Sequence, residues 1–375
     1  MADTAAHLVD QVLPDVPIRQ WVLTFPYRLR YLLAYNAKLC RAVRKISMRA
    51  LLTFLRRRAR KMGLADGHSG AVCSLQRGGG SINVNVHLHI LALDGVFFEL
   101  DDNSELDYQH LPAPREPEVQ RLLETIRNRV ERLMCRWGLD EGADLAAAAD
   151  DSGMGACLVQ AGRASPARLC EGDEGPLPPP ARSGKRRCAE LEGYTLHADT
   201  MIPGGERTAL ERLARYITRP PISSERLSLA DDGRVRYRLR TPFHDGTKVL
   251  AFEPLAFIAR LAALVPPPRF HLATYHGVLA PNHQWRSKVV PRKTGSRHRR
   301  TGTARKASRA GRHPWAELMR RVYSFDVLTC DRCGSRKVIV SAISQPEVIR
   351  KILGALHLPP EPPFIHPART DPLLF

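Results

Sequence analysis

Ile82-Asn83-Val84-Asn85-Val86-His87-Leu88-His89-Ile90 alternates without a break, with Ile, Val, Val, Leu and Ile on the even positions and Asn, Asn, His and His on the odd ones. A period of two is the signature of a half-buried β-strand. Side chains two apart share a face, so His87 and His89 project together from the polar side of a strand whose aliphatic side anchors it in a core. This offers two imidazole metal ligands on a rigid element.

The neighbouring segments extend the pattern. Ala71 to Gln76 reads as a short strand, and Arg77-Gly78-Gly79-Gly80 turns the chain back into the histidine strand. Three glycines admit a close approach of phosphate to backbone. No helix pattern and no Lys-Ser/Thr follow them, so a turn is the favoured reading. Asp94-Gly95 is a hairpin signal, with Val96 to Leu100 as the returning strand.

Upstream, Trp21 to Phe25 reads as a first strand ended by Pro26. Tyr31 to Lys61 carries apolar residues three and four apart and reads as one long amphipathic helix with an Arg-rich end. Downstream, Pro117 to Trp137 is a second helix, opened by proline and closed by Gly138. Residues 140–203 show no sustained period and read as an irregular insertion or linker.

Ala209 to Thr218 then forms a short helix halted by Pro220-Pro221. Arg234-Val-Arg-Tyr-Arg-Leu-Arg240 alternates strictly, which puts Arg234, Arg236, Arg238 and Arg240 on one face of a strand that Asp245-Gly246 turns into Lys248 to Phe252. Pro254 to Leu264 reads as a helix, and Trp315 to Leu356 as two helices around a strand at Lys337 to Ser341. The fold class expected is α+β, a mainly antiparallel sheet with helices packed on one face and a small C-terminal subdomain.

The whole chain is strongly basic. Its 375 residues carry a formal charge of +19, and 286–312 is dense in cations, including Arg292, Lys293, Arg299 and Arg300. Such a surface gathers polyanions, nucleic acid first among them, and the 286–312 run suits sequence-independent phosphate binding. There is no apolar run long enough to span a membrane and no signal-peptide pattern at the start, so an intracellular protein is expected. The eight cysteines lack framework spacing and read as reduced thiols. Only Cys330-Asp-Arg-Cys333 has the spacing of a metal site, and a structural zinc needs two further ligands.

Two imidazoles need a third ligand. Gln76 on the preceding strand is favoured, with Asp94 and Glu99 as alternatives, because an amide oxygen suits a hard divalent cation. A two-histidine site with open positions is equipped for Lewis-acid chemistry on a phosphodiester. No cluster of three carboxylates and no Gly-x-Ser-x-Gly pattern supplies the rest, which leaves tyrosine as the nucleophile type.

His87-Leu88-His89, Leu93-Asp94-Gly95-Val96-Phe97 and Ala214-Arg215-Tyr216-Ile217-Thr218-Arg219-Pro220-Pro221-Ile222-Ser223 together resemble the HUH-type rolling-circle transposases, in the branch that includes the ISCR elements. Trp21 to Arg30, Thr274 to Pro281 and Phe325 to Gly334 are similar to further segments of that family, so the resemblance runs from about residue 15 to 355. It implies an endonuclease and strand transferase acting on single-stranded DNA at element ends, in the bacterial cytoplasm with the nucleoid. His87, His89 and Gln76 would hold Mg2+ or Mn2+, and Tyr216 would attack the scissile phosphate to leave a 5′-phosphotyrosine. A catalytically silent DNA-binding remnant and a relaxase or replication initiator are the alternative readings.

The chain departs from the family pattern in three places. Arg212 stands where many relatives have the first of two tyrosines, Arg77-Gly78-Gly79 stands where they tend to have Arg-Phe-Gly, and the cysteine-rich zinc segment that often opens them is missing. A single-tyrosine enzyme follows. The division expected is 1–139 for the first part of the nuclease core, 140–203 for the insertion, 204–285 for the nucleophile helix and basic hairpin, 286–312 for the basic segment and 313–375 for the C-terminal subdomain.

Overall fold

The structure is a computed structural model that describes residues 1–100, 105–139, 167–169, 187–220, 222–243, 245–266, 268–291, 313–338, 341 and 343–359. It is α+β, and the chain divides into two compact units, Met1–Gly311 and Arg312–Phe375.

The first unit opens with helix α1, Ala2–Gln11, whose Ala5, Ala6, Leu8 and Val9 are buried. Strand β1, Ile18–Thr24, follows, then α2, Tyr27–Tyr35, and α3, Ala37–Arg60. The single helix expected over Tyr31 to Lys61 is therefore two. Asn36 adopts extended backbone between them, and its side chain accepts the Leu39 N–H at 2.8 Å, capping α3. The apolar stripe hides this break because both helices bury it in the same core. Asparagine at an N-cap satisfies an otherwise orphaned donor, which makes the break favourable.

β2, Gly70–Gly78, and β3, Val84–Leu93, form the antiparallel hairpin that carries the histidines. At its turn the Gly79 N–H donates to Asn83 O at 2.9 Å, and a Cβ on Gly79 would lie 2.2 Å from Asn83 Oδ1. The glycine run thus serves a tight turn.

β4, Gly95–Leu100, does not return along β3. It pairs instead with β5, Glu105–His110, as a separate two-stranded sheet, so the hairpin expected at Asp94-Gly95 is a point where the chain leaves the main sheet. Asp94 is held there by Arg19, whose Nε and Nη2 donate to its two oxygens at 2.8 and 2.6 Å. Gly95 lets the Gln109 carbonyl approach to within 2.3 Å of where a Cβ would be.

Helix α4, Glu116–Arg136, agrees with the sequence reading to within a residue. β6 is Ala167–Leu169. The irregular insertion expected over 140–203 is corrected at its end, where β7, Cys188–Leu191, β8, Tyr194–His197, and β9, Met201–Ile202, join the main sheet. Strands of two to four residues are too short to display a period. The β7–β8 turn, Glu192-Gly193, has positive φ at both residues, 48° and 78°, as a two-residue hairpin requires.

The remaining elements are α5, Arg207–Thr218; β10, Leu227–Leu229; β11, Val235–Arg238; β12, Val249–Phe252; α6, Pro254–Leu264; β13, Ala273–Gly277; and the short α7, Arg286–Val289. Among the described residues the main sheet has seven strands, in the order β13-β2-β3-β1-β8-β7 with β9 also on β1. A second sheet runs β10-β11-β12-β6.

Alternation along the strands sorts side chains between two faces. Trp21, Leu23, Cys73, Leu75, Leu88 and Ile90 share a core with α2, α3 and α4. On the opposite face Ile18, Val72, Leu91 and Leu93 share a core with α1 and α5. By the same parity the histidines belong to this second face, under the helix that carries Tyr216.

In the second unit α8, Trp315–Tyr323, and α9, Pro346–Ala355, match the two helices expected. Lys337 and Val338 are not in a strand. The described residues between the helices contain one isolated bridge, Thr329 to Arg336, while 339, 340 and 342 lie outside the described residues. No described helix is long and apolar enough to cross a membrane.

Candidate active site

β3 lies between β1 and β2, so its side chains are fixed from both sides. His87 is opposite Thr24 and Gln76, and His89 is opposite Val22 and Ser74. The two imidazoles lie 4.9 Å apart, centroid to centroid. Burial is the main force lowering both pKa values: His87 falls below its ordinary value, and His89, with further repulsion from His87 and Arg219, falls to about 3. Both rings are therefore neutral at pH 7, the form in which imidazole ligates a metal.

Each Nδ1 has a partner. That of His87 donates to Asn85 O at 2.7 Å, which leaves a lone pair on Nε2. That of His89 lies 2.9 Å from Nε2 of the buried Gln20 side-chain amide. The two ends of such an amide are interchangeable by rotation. With the amide oxygen toward the ring, His89 Nδ1 donates and Nε2 keeps its lone pair, the tautomer that an acceptor behind a metal-ligating imidazole enforces.

Gln76 faces His87 across the hairpin, and its Nε2 donates to Ile217 O at 2.8 Å. Ser74 Oγ donates to the same carbonyl at 3.2 Å. Carbonyls in the last turn of a helix have no partner within it, so these two side chains tie the end of α5 to β2. The tie places Tyr216 over the histidines: its ring meets His89 edge-on at 5.7 Å and 90°. Arg219 lies over the Tyr216 ring with Cζ 4.4 Å from the centroid. Tyr216 retains 36% exposure.

Asn85 adds a group that the reading of the sequence left unused. Its Oδ1 is buried with no hydrogen-bond partner among the described residues, and it shares the histidine face two residues before His87. The unbroken Asn-x-Asn-x-His-x-His alternation was the available signal. Two neutral imidazoles, the Gln76 amide and the orphaned Asn85 oxygen make a mixed nitrogen and oxygen donor set that fits a divalent cation of the magnesium or manganese kind.

The alternative third ligands stand elsewhere. Asp94 is paired with Arg19, and Glu99 Oε1 accepts the Trp285 indole N–H at 3.1 Å.

The basic strand is also apart from the histidine sheet. Arg236 and Arg238 are exposed on β11 with Tyr237 buried between them, as the alternation predicts. Arg240 is exposed just beyond β11, while Arg234 is engaged by Asp232 at 2.6 Å. This strand is in the second sheet. Arg292, Lys293, Arg299 and Arg300 lie outside the described residues.

Cys330 and Cys333 sit on a tight turn in which Gly334 N donates to Cys330 O at 2.8 Å and Cys333 Sγ is 2.8 Å from Ser335 Oγ. Among the described residues no third metal-binding group stands with them.

Residues 70–287 match the model of the family Y2_Tnp, described as "Putative transposase". No curated protein and no solved structure matches the chain. The matched span covers more than half of the protein and contains both histidines, Gln76 and Tyr216, and the chain accordingly belongs to the Y2_Tnp transposase family.

Proposed function

We propose that this transposase cuts and rejoins single-stranded DNA through a covalent tyrosine link, in the manner of HUH enzymes. The observation that carries the reading is the approach of Tyr216, delivered by α5, to the neutral His87 and His89 pair on β3. In this reading the Tyr216 hydroxyl attacks the scissile phosphorus and the bond to the 3′-oxygen breaks. A 5′-phosphotyrosine and a free 3′-hydroxyl remain. Attack by another 3′-hydroxyl reverses the chemistry and completes strand transfer, since the phosphotyrosine conserves the phosphodiester bond energy.

His87, His89 and Gln76, with Asn85 beside them, are the residues that would hold Mg2+ or Mn2+. When bound, such a cation supplies Lewis-acid neutralisation of the charge that develops on the phosphate. The protein's own contribution is positional. Gln76 and Ser74 fix the last turn of α5 so that the phenol is held at the imidazoles, and Arg219 lies over the phenol ring. Arg236 and Arg238, with the basic 286–312 segment, would follow the DNA backbone.

The test is to incubate the full chain with Mn2+ and single-stranded DNA carrying an element end, then resolve the products under denaturing conditions. A DNA-linked protein species should form with the wild type and be lost in Tyr216→Phe and in His87→Ala. An adduct that survives Tyr216→Phe would overturn the assignment of the nucleophile. Failure of the wild type to form one on any end sequence would overturn the reaction.

A further inference from the structure

A cavity opens at the end of α5, against the stretch of β2 that carries Ser74 and Gln76. Its volume is about 550 Å3, within the range that encloses small organic ligands. Ser74 and Gln76 of β2, Ile217, Arg219 and Pro220 at the end of α5, and Leu272 before β13 line it. Ile217 and Arg219 follow Tyr216 by one and three residues, so the wall of the cavity and the reactive phenol belong to one stretch of chain.

The sheet explains why a cavity exists here. The β13 ladder ends with Ala273 opposite Ser74, and Leu272 O takes the Leu75 N–H at 2.9 Å. From Gln76 to Gly78 strand β2 has no strand partner on that side among the described residues. The site therefore offers hydrocarbon walls from Ile217, Pro220 and Leu272, an open strand edge with backbone donors and acceptors, and two guanidinium groups, of which Arg77 is already engaged by Ala34 O and Ala263 O. Arg219 both bounds the cavity and lies 4.4 Å over Tyr216.

We propose that this cavity receives a nucleobase of the single strand, next to the phosphate presented to Tyr216. The proposal rests on the reading of the chain as a single-strand nicking enzyme. A flat heteroaromatic ring matches the chemistry on the page. Its faces stack on aliphatic walls and on a guanidinium plane, its edge meets the open backbone of β2, and its attached phosphate is drawn by a chain of net charge +19. A bare phosphate would find a mainly apolar pocket, and an apolar peptide would leave Arg219 and the strand edge unused. Seating the base would also set the register of the strand, deciding which phosphate lies at the phenol.

The test reads binding and is separate from cleavage. A fluorescent twenty-residue oligothymidylate and an abasic strand of equal length are titrated against the full chain by anisotropy. The wild type should hold the thymidylate at least about tenfold more tightly than the abasic strand, the contribution expected of one stacked base. Leu272→Trp places an indole in the cavity from a side chain that is 40% exposed. It should lower the affinity for thymidylate about tenfold and leave the abasic strand unchanged. Pro266→Trp fills the cavity from another wall and should reproduce the effect, independently of what Leu272 does for folding.

Unchanged thymidylate affinity in both folded variants, or an equal loss for both strands, overturns the proposal. Covalent adduct formation by the wild type with no effect of either tryptophan removes the base site and leaves the reaction standing. A tryptophan-sensitive base preference without any adduct removes the reaction and leaves the base site.

Discussion

Asn85 and Gln20 bracket the histidine pair, and they separate stability from function in opposite ways. The Asn85 Oδ1 is buried without a partner among the described residues, so the folded state already bears the desolvation of that atom. Asn85→Ala should leave thermal stability unchanged or slightly raised, while the Mn2+ concentration needed for adduct formation rises about tenfold or more. Equal Mn2+ requirements in the two proteins would show that Asn85 takes no part. Gln20 is the partner of His89 Nδ1 at 2.9 Å, and Gln20→Leu keeps its bulk but frees the ring to rotate and change tautomer. The adduct-forming rate should fall about ten- to hundredfold, with Gln20→Glu restoring part of it because a carboxylate can only accept from Nδ1, as the rotated amide would. His276, on the edge strand β13, gives a pH signature away from the site. Burial first, then repulsion by Arg44, lowers its pKa from 6.5 to about 4. Between those values the unfolded chain takes a proton that the folded chain refuses, so stability is full above pH 6.5 and drops as the pH falls toward 4. The urea midpoint should decline on going from pH 7 to pH 5, and His276→Gln should remove about one proton from that dependence.

At the scale of elements, the ends of helices decide more than their middles. Asn36 splits one apolar stripe into α2 and α3 by capping the second, and Asn36→Ala should cost about 1 kcal/mol in urea unfolding. Arg77, which is 7% exposed, donates to Ala34 O at 2.8 Å and to Ala263 O at 3.0 Å, the last turns of α2 and α6. Both turns present unsatisfied carbonyls and the negative end of a helix dipole, so one guanidinium serves two helix ends. Arg77→Met keeps the apolar stem and leaves both carbonyls without that donor, a loss of about 2 kcal/mol that the same unfolding curves would detect. Neither function was readable beforehand. Asn36 sat within a good helical period, and Arg77 read only as the lead into a glycine turn. The helices themselves were legible where the period was long, as in α4, and α5, which carries Tyr216, was placed to within two residues by its apolar stripe and the prolines beyond it.

For the first unit as a whole, the Arg19 and Asp94 pair joins the start of β1 to the point where the chain leaves β3. Both side chains are almost fully buried and hydrogen-bonded through two contacts, and Arg19 Nη1 also donates to Ala198 O at 2.9 Å. Asp94→Ala would leave a buried guanidinium without its counter-charge, and a loss of about 3–5 kcal/mol is expected in chemical denaturation. Retention of wild-type stability would mean that water reaches Arg19 once the carboxylate is gone. At long range the net charge of +19 dominates. Affinity for single-stranded DNA should fall linearly on a log–log plot against salt, and Arg236→Ala combined with Arg238→Ala should reduce the slope by about one to two phosphate contacts.

The sequence by itself determined the local chemistry. The period of two in 82–90 assigned His87 and His89 to one face, and the alternation in 234–240 exposed Arg236 and Arg238 around a buried Tyr237. These follow from short-range geometry, because side-chain direction repeats every two residues in a strand. Tertiary structure alone decided the rest: that Gln76 reaches Ile217 O, that Tyr216 meets His89, that Asp94 belongs to Arg19, and that the arginine strand lies in a second sheet. Each of those depends on which elements pack together over separations of seventy residues or more, or on hydrogen-bond demands at helix and strand ends. No period along the chain records either one.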